Sequence, residues 1–379
     1  MRVAVITESF LPSLNGVTTS VRHVLEQLAA RGHEAIVITP SAESPRRYAG
    51  FAVHEVPAIG YRSFQVGMPV PQVQQLLARF APDVIHAASP FLLGTAALAA
   101  GRRLGIATVA IYQTDVARYA RRNRLRALET AAWNVVRRVH EGADLTLAPS
   151  TAALADLRRL GLTRLALWGR GVDVQGFHPN LRSTPATQRL RADIAPTGQV
   201  VVGYVGRIAP EKQVERLAAL RGLPGISIAI AGDGPARQTA QNSLRRMPVS
   251  WLGSLSGPAL STAYAALDVF VHTGAEETFG QTLQEAQASG LPVVAPRAGG
   301  PIDLVDHGVD GFLYDPENDG QMREYVRALA ADPALRARMG EAGRRRVLSR
   351  TWESVCVDLF ARYEEVIAAR RQATPTMSA

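Results

Sequence analysis

Two glutamates, Glu277 and Glu285, stand eight residues apart around a predicted strand-to-helix turn. The apolar run from Val269 to Val271 predicts a short buried strand. A helix is predicted to begin near Phe279 or Gly280 and to end at Gly290. One carboxylate therefore falls at the helix entrance and the other about two turns into the helix, since an α-helix repeats every ~3.6 residues.

A helix entrance of this kind favours a phosphate, because its first N–H groups are unpaired and carry partial positive charge. Gly280 allows a close backbone approach. Two carboxylates would repel a phosphate unless they faced uncharged groups rich in hydroxyls, such as a sugar and a ribose. The pattern thus indicates a nucleotide-sugar site, although one helix carboxylate and one surface carboxylate would give the same spacing.

Two cations follow another predicted strand, 200–205, in the segment Gly206-Arg207-Ile-Ala-Pro-Glu211-Lys212. The carboxyl ends of parallel strands meet at one edge of a sheet, so Arg207 and Lys212 are expected to face the same crevice as residues 277–282. Lys212 is the only lysine in the chain. A compact ammonium beside a helix entrance suits a departing diphosphate. A solvated pair at a strand end is the alternative.

These motifs resemble the signature of retaining GT-B glycosyltransferases, specifically glycosyltransferase family 4. The run of motifs is most similar to the GDP-mannose-dependent α-mannosyltransferases that build bacterial cell-envelope glycolipids. The resemblance implies that Arg207, Lys212 and Glu277 are catalytic. It also implies a set of donor-binding residues: Gly16, Arg207, Glu211, Lys212, Leu255, Glu277, Thr278, Phe279, Gly280, Gln281, Thr282 and Glu285.

Acceptor-binding residues are predicted in the N-terminal half. Asn15-Gly16 lies in the loop after the first strand, where the family carries Gly-Gly or a close relative. Tyr61 and Arg62 lie in the segment 57–69, which is predicted to be an acceptor loop or a plain connection. Gln113 stands where family members commonly have histidine, so histidine-based proton transfer is excluded at that position. A front-face retaining mechanism, in which the leaving phosphate takes the acceptor proton, does not need a histidine at that position.

The alternation of strands and helices predicts an α/β protein of two Rossmann-like doubly wound domains facing a central cleft, the GT-B fold. The expected parts are an acceptor domain over 1–172, a linker over 173–198, a nucleotide-sugar domain over 199–351, a helix over 352–371 that crosses back to the first domain, and a disordered tail over 372–379.

The chain has a net charge of +9, which favours anionic partners. Seven arginines between residues 118 and 138 flank apolar residues at helical spacing, which predicts either contact with an anionic membrane surface or a solvated basic helix face. No apolar run is long enough to span a membrane. We expect a cytoplasmic protein, peripheral on the inner face of the plasma membrane, with a nucleotide-sugar donor and a lipid-linked acceptor. A metal site is not predicted, since Cys356 is the only cysteine and no Asp-x-Asp cluster occurs.

Other functions stay open at this point. A UDP-sugar donor is possible, because no residue was seen to select guanine. An epimerase would need acid and base groups around the sugar, which Gln113 disfavours. A phosphorylase that uses pyridoxal phosphate would need a lysine for the Schiff base. Lys212 is the only lysine and is already assigned to the diphosphate, so no cofactor is expected. Nucleic-acid binding is disfavoured, since few aromatic residues accompany the arginines.

Overall fold

The computed structural model describes residues 1–13, 15–40, 43–61, 64–68, 71–113 and 126–373. The chain divides into two compact units, one formed by Met1–Arg170 with Trp352–Ala379 and the other by Gly171–Thr351. Each unit is an α/β structure built on a parallel sheet.

The first unit contains an eight-stranded sheet in the order β10-β9-β8-β7-β1-β2-β4-β3, in which only the β3–β4 pair is antiparallel. A separate antiparallel hairpin pairs β5 with β6. The strands are β1 (Arg2–Ile6), β2 (Glu34–Thr39), β3 (Arg47–Tyr48), β4 (Phe51–Glu55), β5 (Ala58–Tyr61), β6 (Phe64–Gly67), β7 (Val84–Ala87), β8 (Ala107–Ile111), β9 (Leu145–Ala148) and β10 (Leu165–Leu167).

The helices described in the first unit pack on this sheet. They are α1 (Gly16–Ala30), α2 (Pro71–Phe80), α3 (Leu92–Leu104), α4 (Arg126–Glu141) and α5 (Thr151–Arg159), with a long C-terminal helix, Trp352–Ala373. The C-terminal helix buries Tyr363, whose hydroxyl lies 2.5 Å from His86 Nδ1 on β7. Its buried side chains join those of β1, α1 and β8 in one apolar core.

The second unit contains a six-stranded sheet, entirely parallel, in the order β13-β12-β11-β14-β15-β16. Its central strands are buried on both faces, which explains their unbroken apolar sequences. The strands are β11 (Val200–Val205), β12 (Ile226–Ala231), β13 (Val249–Gly253), β14 (Val269–Val271), β15 (Val293–Pro296) and β16 (Gly311–Tyr314).

The helices of the second unit cover both faces of the sheet with two separate apolar cores. They are α6 (Pro185–Ile194), α7 (Arg237–Leu244), α8 (Gly257–Ala265), α9 (Gln281–Ala288), α10 (Pro301–Leu304), α11 (Asp319–Ala331) and α12 (Pro333–Val347); the C-terminal helix Trp352–Ala373 of the first unit is then α13.

Four features differ from the expectations. The segment 57–69 holds the β5–β6 hairpin. Residues 173–198, predicted as a linker, lie in the second unit and contain a 3₁₀ turn, Pro179–Ser183, followed by α6. The sequence also predicts a helix over about 319–347, and this helix is broken, because Pro333 cannot continue it and the Asp332 side chain caps the next helix at the Leu335 amide. The last helix extends to Ala373, and residues 374–379 lie outside the described residues.

Within the described ranges, no helix is both long and apolar enough to cross a bilayer. The same ranges hold no group of three or more His, Cys, Asp or Glu side chains arranged to bind a metal ion.

Candidate active site

The turn that carries Glu277 begins directly after β14. His272 fixes its start, because the His272 amide donates to the Val294 carbonyl at 2.8 Å and the His272 carbonyl accepts from the Tyr314 hydroxyl at 3.1 Å. Val294 lies on β15 and Tyr314 on β16 of the same sheet. The first residue of the turn is therefore held by the sheet.

Lys212 is positioned from two sides. It ends a single 3₁₀ turn, Pro210–Lys212, and its carbonyl accepts from the Thr273 hydroxyl at 2.6 Å. A Cβ atom on Gly274 would lie 2.7 Å from the Glu211 carbonyl oxygen, so glycine allows the two backbones to touch. The turn after β11 and the turn after β14 thus pack directly against each other.

The centre of the site is an ion pair between Lys212 and Glu277. The Lys212 ammonium donates to Glu277 Oε2 at 2.6 Å, and the Phe279 amide donates to Glu277 Oε1 at 3.2 Å. The two charged side chains are only 21% and 15% exposed. Burial alone would raise the pKa of Glu277, but the Lys212 charge, His272 and these hydrogen bonds lower it to about 2. Glu277 is therefore ionised at neutral pH.

Two glycines hold the Glu277 turn from behind. The Gly300 amide donates to the Glu277 carbonyl at 2.8 Å. A Cβ atom on Gly299 would lie 2.2 Å from that same oxygen, and one on Gly300 would lie 2.0 Å from the Phe279 carbonyl oxygen. Any side chain at either position would displace the turn.

The helix entrance lies at Gly280. Gly280 has φ +104°, a left-handed conformation that favours glycine, and α9 begins at the next residue. No side chain caps this helix start. A helix start of this kind favours an anion through its first amides and its dipole, and anion binding there stays a prediction.

Glu285 has an environment opposite to that of Glu277. The Tyr264 hydroxyl donates to Glu285 Oε2 at 2.8 Å, and the Gln281 side chain forms a further hydrogen bond with the carboxyl group. The carboxyl group is surrounded by protein although the residue keeps partial exposure. Burial raises the pKa of Glu285 to about 7, although both hydrogen bonds lower it. Its charge state therefore changes near neutral pH.

Arg207, Glu211, Leu255, Thr278 and Thr282, which are also predicted to bind the donor, belong to the second unit. Arg207 pairs with Glu211 and has a side chain that is 61% exposed. The Thr282 carbonyl accepts from the Tyr264 hydroxyl at 3.2 Å. Leu255 packs, partly buried, against the core beneath the sheet. Thr278 is partly buried within the Glu277 turn.

In the first unit, Asn15 caps α1. Its Oδ1 accepts from the Val17 and Thr18 amides at 3.0 and 3.1 Å, and its Nδ2 donates to Ser9 Oγ at 2.7 Å. The side chain predicted to contact the acceptor thus has a structural task in this structure.

Gln113 is also held by the protein. Its Nε2 donates to the Ala88 carbonyl at 2.8 Å, and its Oε1 accepts from Arg170 Nη2 at 2.7 Å. A Cβ atom on Gly16 would lie 2.5 Å from Arg170 Nη1. Arg170 thus joins two predicted site residues, Gly16 and Gln113, within one unit.

The predicted contacts at Tyr61 and Arg62 are less defined. Tyr61 ends β5 in the hairpin. Arg62 lies outside the described residues, and so do the arginines from 118 to 124. Their roles stay predictions.

Four site features escaped the sequence argument: His272, Tyr264, Arg170 and the contact of Gly299 and Gly300 with the Glu277 turn. His272 carried a usable signal, since it immediately follows a buried strand and precedes Glu277 by five residues. Tyr264 and Arg170 are remote in sequence from their partners, so only the fold reveals them.

Comparisons with known proteins identify the family. The model described as Glycosyltransferase Family 4 matches residues 14–175, and the model described as Glycosyl transferases group 1 matches residues 187–346. The chain belongs to glycosyltransferase family 4. The glutamate pair and the Lys212 turn of this glycosyltransferase therefore lie within the group 1 match.

Curated relatives extend over almost the whole glycosyltransferase. It is 46% identical over 379 residues to a GDP-mannose-dependent alpha-mannosyltransferase of Mycolicibacterium smegmatis, covering 98% of this chain and 99% of that protein. A protein of the same name in Corynebacterium glutamicum is 45% identical over 97% of this chain and 90% of its own length. Sulfoquinovosyl transferase SQD2 of Arabidopsis thaliana is 34% identical over 97% of this chain and 74% of its own length.

Solved structures confirm the predicted GT-B fold. Anabaena HepE in complex with UDP matches with a TM-score of 0.79 and 19% identity, over 96% of this chain and all of that chain. Sucrose-phosphate synthase of Thermosynechococcus elongatus matches with a TM-score of 0.80 and 21% identity, over 97% of this chain and 99% of that chain.

Glu285→Gln is expected to stabilise this glycosyltransferase more at pH 8 than at pH 5. The pKa of Glu285 is about 7 in the folded protein against an ordinary 4.5. Folding thus takes up a proton in that window, and wild-type stability falls as pH rises from 4.5 to 7. Above pH 7 the loss in free energy of unfolding levels off at about 3 kcal/mol. The Glu285→Gln variant has a neutral amide at this position and does not show this loss.

Thermal unfolding of both proteins at the two pH values measures this effect. Glu341→Gln on α12 is the matched control, because Glu341 is exposed and should show no pH-dependent gain. An equal gain in Tm for Glu285→Gln at both pH values would contradict the assigned protonation of Glu285.

Proposed function

We propose that this glycosyltransferase is a GDP-mannose-dependent α-mannosyltransferase that acts with retention on a lipid-linked acceptor. The observation that carries the proposal is 43–46% identity, over 97–98% of the chain, to three proteins of that name. The site geometry supports a nucleoside-diphosphate sugar as donor. The relative named as a sulfoquinovosyl transferase is more distant, at 34% identity.

Lys212 is the proposed electrophilic group for the leaving diphosphate. Its ammonium already lies in a partly buried site, 2.6 Å from Glu277, and a point charge on a flexible stem can move to a phosphate oxygen. The entrance of α9 would bind the same diphosphate through its free amides. Arg207 would add a second cation. Negative charge develops on the diphosphate as the glycosidic bond breaks, so these groups stabilise the transition state more than the ground state.

The two glutamates are proposed to bind the two sugars of the donor. Ionised Glu277 accepts hydrogen bonds from hydroxyls of the mannose. Glu285 binds the ribose hydroxyls, as the family resemblance implies. Because a carboxylate accepts from two vicinal hydroxyls better than a carboxylic acid does, nucleotide binding is expected to favour the ionised form of Glu285 and to release a proton near pH 7.

We propose that the leaving phosphate takes the proton from the acceptor hydroxyl. Gln113 cannot act as a base, and both ends of its amide are hydrogen-bonded to Ala88 and Arg170. The site therefore acts by positioning the reactants and by stabilising charge. We propose that no metal and no cofactor take part, since Lys212, Arg207 and the helix entrance supply positive charge for the diphosphate.

The donor is tested by transfer of radiolabel from GDP-mannose to a membrane lipid extract, with GDP, UDP and ADP as competitors. We expect a labelled glycolipid whose formation GDP inhibits at lower concentration than UDP or ADP. Glu277→Gln should reduce transfer to a low residual rate, and Glu341→Gln should match the wild type. Stronger inhibition by UDP would contradict the GDP-mannose assignment. Turnover of GDP-mannose without any acceptor would instead favour an epimerase.

We also propose that the enzyme binds an anionic membrane surface, on the cytoplasmic side, through α4. Arg138 and Arg137, which pairs with Glu141, are exposed on this helix, and Val135, one turn before Arg138, is 49% exposed. Val136 and Val139 are buried in the protein core, so the helix is anchored while its other side stays accessible. A basic, partly apolar surface of this kind suits acidic headgroups.

Flotation with anionic and with neutral vesicles tests this surface. The wild type should float with the anionic vesicles only. Arg137→Gln with Arg138→Gln should lose about 2 kcal/mol of binding, a roughly 30-fold weaker partition. Arg158→Gln with Arg159→Gln on α5 is the matched control, since both arginines are exposed at a helix end. Equal recovery of the wild type with both vesicle types would contradict the proposal.

A further inference from the structure

His272 is a buried histidine whose ring has no hydrogen-bond partner among the described residues. The residue is 1% exposed, and neither Nδ1 nor Nε2 makes a hydrogen bond of acceptable geometry. The Gly274 backbone lies near the ring and raises the pKa of His272, but its geometry does not meet the criteria for a hydrogen bond. A buried polar group usually finds a partner, so an unpartnered imidazole at this position calls for a functional explanation.

The polar side chain that the His272 ring faces is Glu277. Nε2 lies 3.7 Å from Glu277 Oε2, the same oxygen that accepts from the Lys212 ammonium at 2.6 Å. Two donors thus converge on one carboxylate oxygen, and only Lys212 is within hydrogen-bond distance. A movement of less than about 1 Å would bring His272 within that distance.

The protonation state of His272 suits a neutral donor. Burial lowers the pKa of His272 to about 4, and the Lys212 charge also lowers it, although Glu277 acts in the opposite direction. The ring is therefore neutral at pH 7 and carries one N–H, which can reside on Nε2. A neutral N–H can approach Glu277 without repelling the Lys212 ammonium.

A bound diphosphate competes with Glu277 for Lys212, because it carries more negative charge than one carboxylate. If the ammonium leaves, Glu277 keeps its charge in a partly buried site, where the Phe279 amide is the protein group that still donates to it and the mannose hydroxyls supply uncharged donors. A buried carboxylate that loses its cation is costly, so a further N–H donor at Oε2 in place of the ammonium lowers that cost.

We propose that His272 is a positioning residue that donates Nε2–H to Glu277 when the donor diphosphate draws Lys212 away. His272 thereby keeps the Glu277 carboxylate ionised and fixed toward the donor sugar. The inference rests on the proposed function, since it requires a diphosphate at Lys212. It makes His272 important for turnover rather than for nucleotide affinity.

Two substitutions separate the N–H from the shape of the ring. His272→Phe keeps an aromatic ring but removes the donor, and His272→Gln places an amide N–H near the position of Nε2. We expect His272→Phe to lower kcat for transfer at least 10-fold, with the Kd for GDP, measured by calorimetry, unchanged within about twofold. His272→Gln should recover most of kcat. His140→Phe, which removes another buried histidine far from Glu277 in sequence, is the control for folding.

A double-mutant cycle tests whether His272 acts through Glu277. In a Glu277→Gln background, which is expected to have a low residual rate, His272→Phe should cause no further loss. An equal loss in both backgrounds, or an unchanged kcat in His272→Phe, would overturn the proposal. So would a loss confined to GDP affinity.

Nitrogen-15 NMR of histidine-labelled wild-type protein gives a test that does not depend on the activity of a variant. The His272 signal is assigned by its absence in His272→Gln and in His272→Phe. GDP should shift its N–H resonance downfield, as a new hydrogen bond to a carboxylate requires, and guanosine should not. No shift while GDP binds would refute the role of His272 alone. A wild type that neither binds GDP nor transfers mannose would refute the proposed function, and with it this inference.

Discussion

The structure of the site depends on one constraint: the Lys212 ammonium and the Glu277 carboxylate share a partly buried position, 2.6 Å apart. The two residues come from turns after different strands, β11 and β14. The contacts of Thr273 and Gly274 with the Lys212 turn keep those turns together. Removing either charge would leave the other buried without compensation. One ion pair thus contains both the cation that we propose for the diphosphate and the anion that we propose for the sugar.

The two glutamates show how environment assigns different tasks to the same side chain. Glu277 has a cation and a backbone amide as partners, and its pKa falls to about 2. Glu285 has a tyrosine hydroxyl and a glutamine as partners, and burial raises its pKa to about 7. We propose that the first accepts hydrogen bonds from sugar hydroxyls throughout the neutral pH range and that the second loses its proton when the nucleotide binds. Displaced pKa values at one site are typical of functional groups.

Much of this was predictable from local sequence, and the failures have physical causes. The strand at Val269–Val271 and the helix start after Gly280 follow from an apolar run and a glycine, both local signals. The hairpin over residues 58–67 and the helix Pro185–Ile194 were missed, because their weak periodicity is overridden by tertiary packing. Tyr264 lies 21 residues from Glu285 and Arg170 lies 57 residues from Gln113, so no spacing rule could supply these two pairs.

The central claim, that Lys212 binds the donor diphosphate, can be measured directly because the chain has a single lysine. Limited acylation with acetic anhydride, followed by peptide mass spectrometry, gives the reactivity of Lys212 relative to the amine of Met1. Saturating GDP should slow the acylation of Lys212 severalfold, while guanosine at saturation should leave it unchanged. If GDP is bound, as calorimetry would show, and Lys212 reacts at the same rate as in the free protein, the account is contradicted.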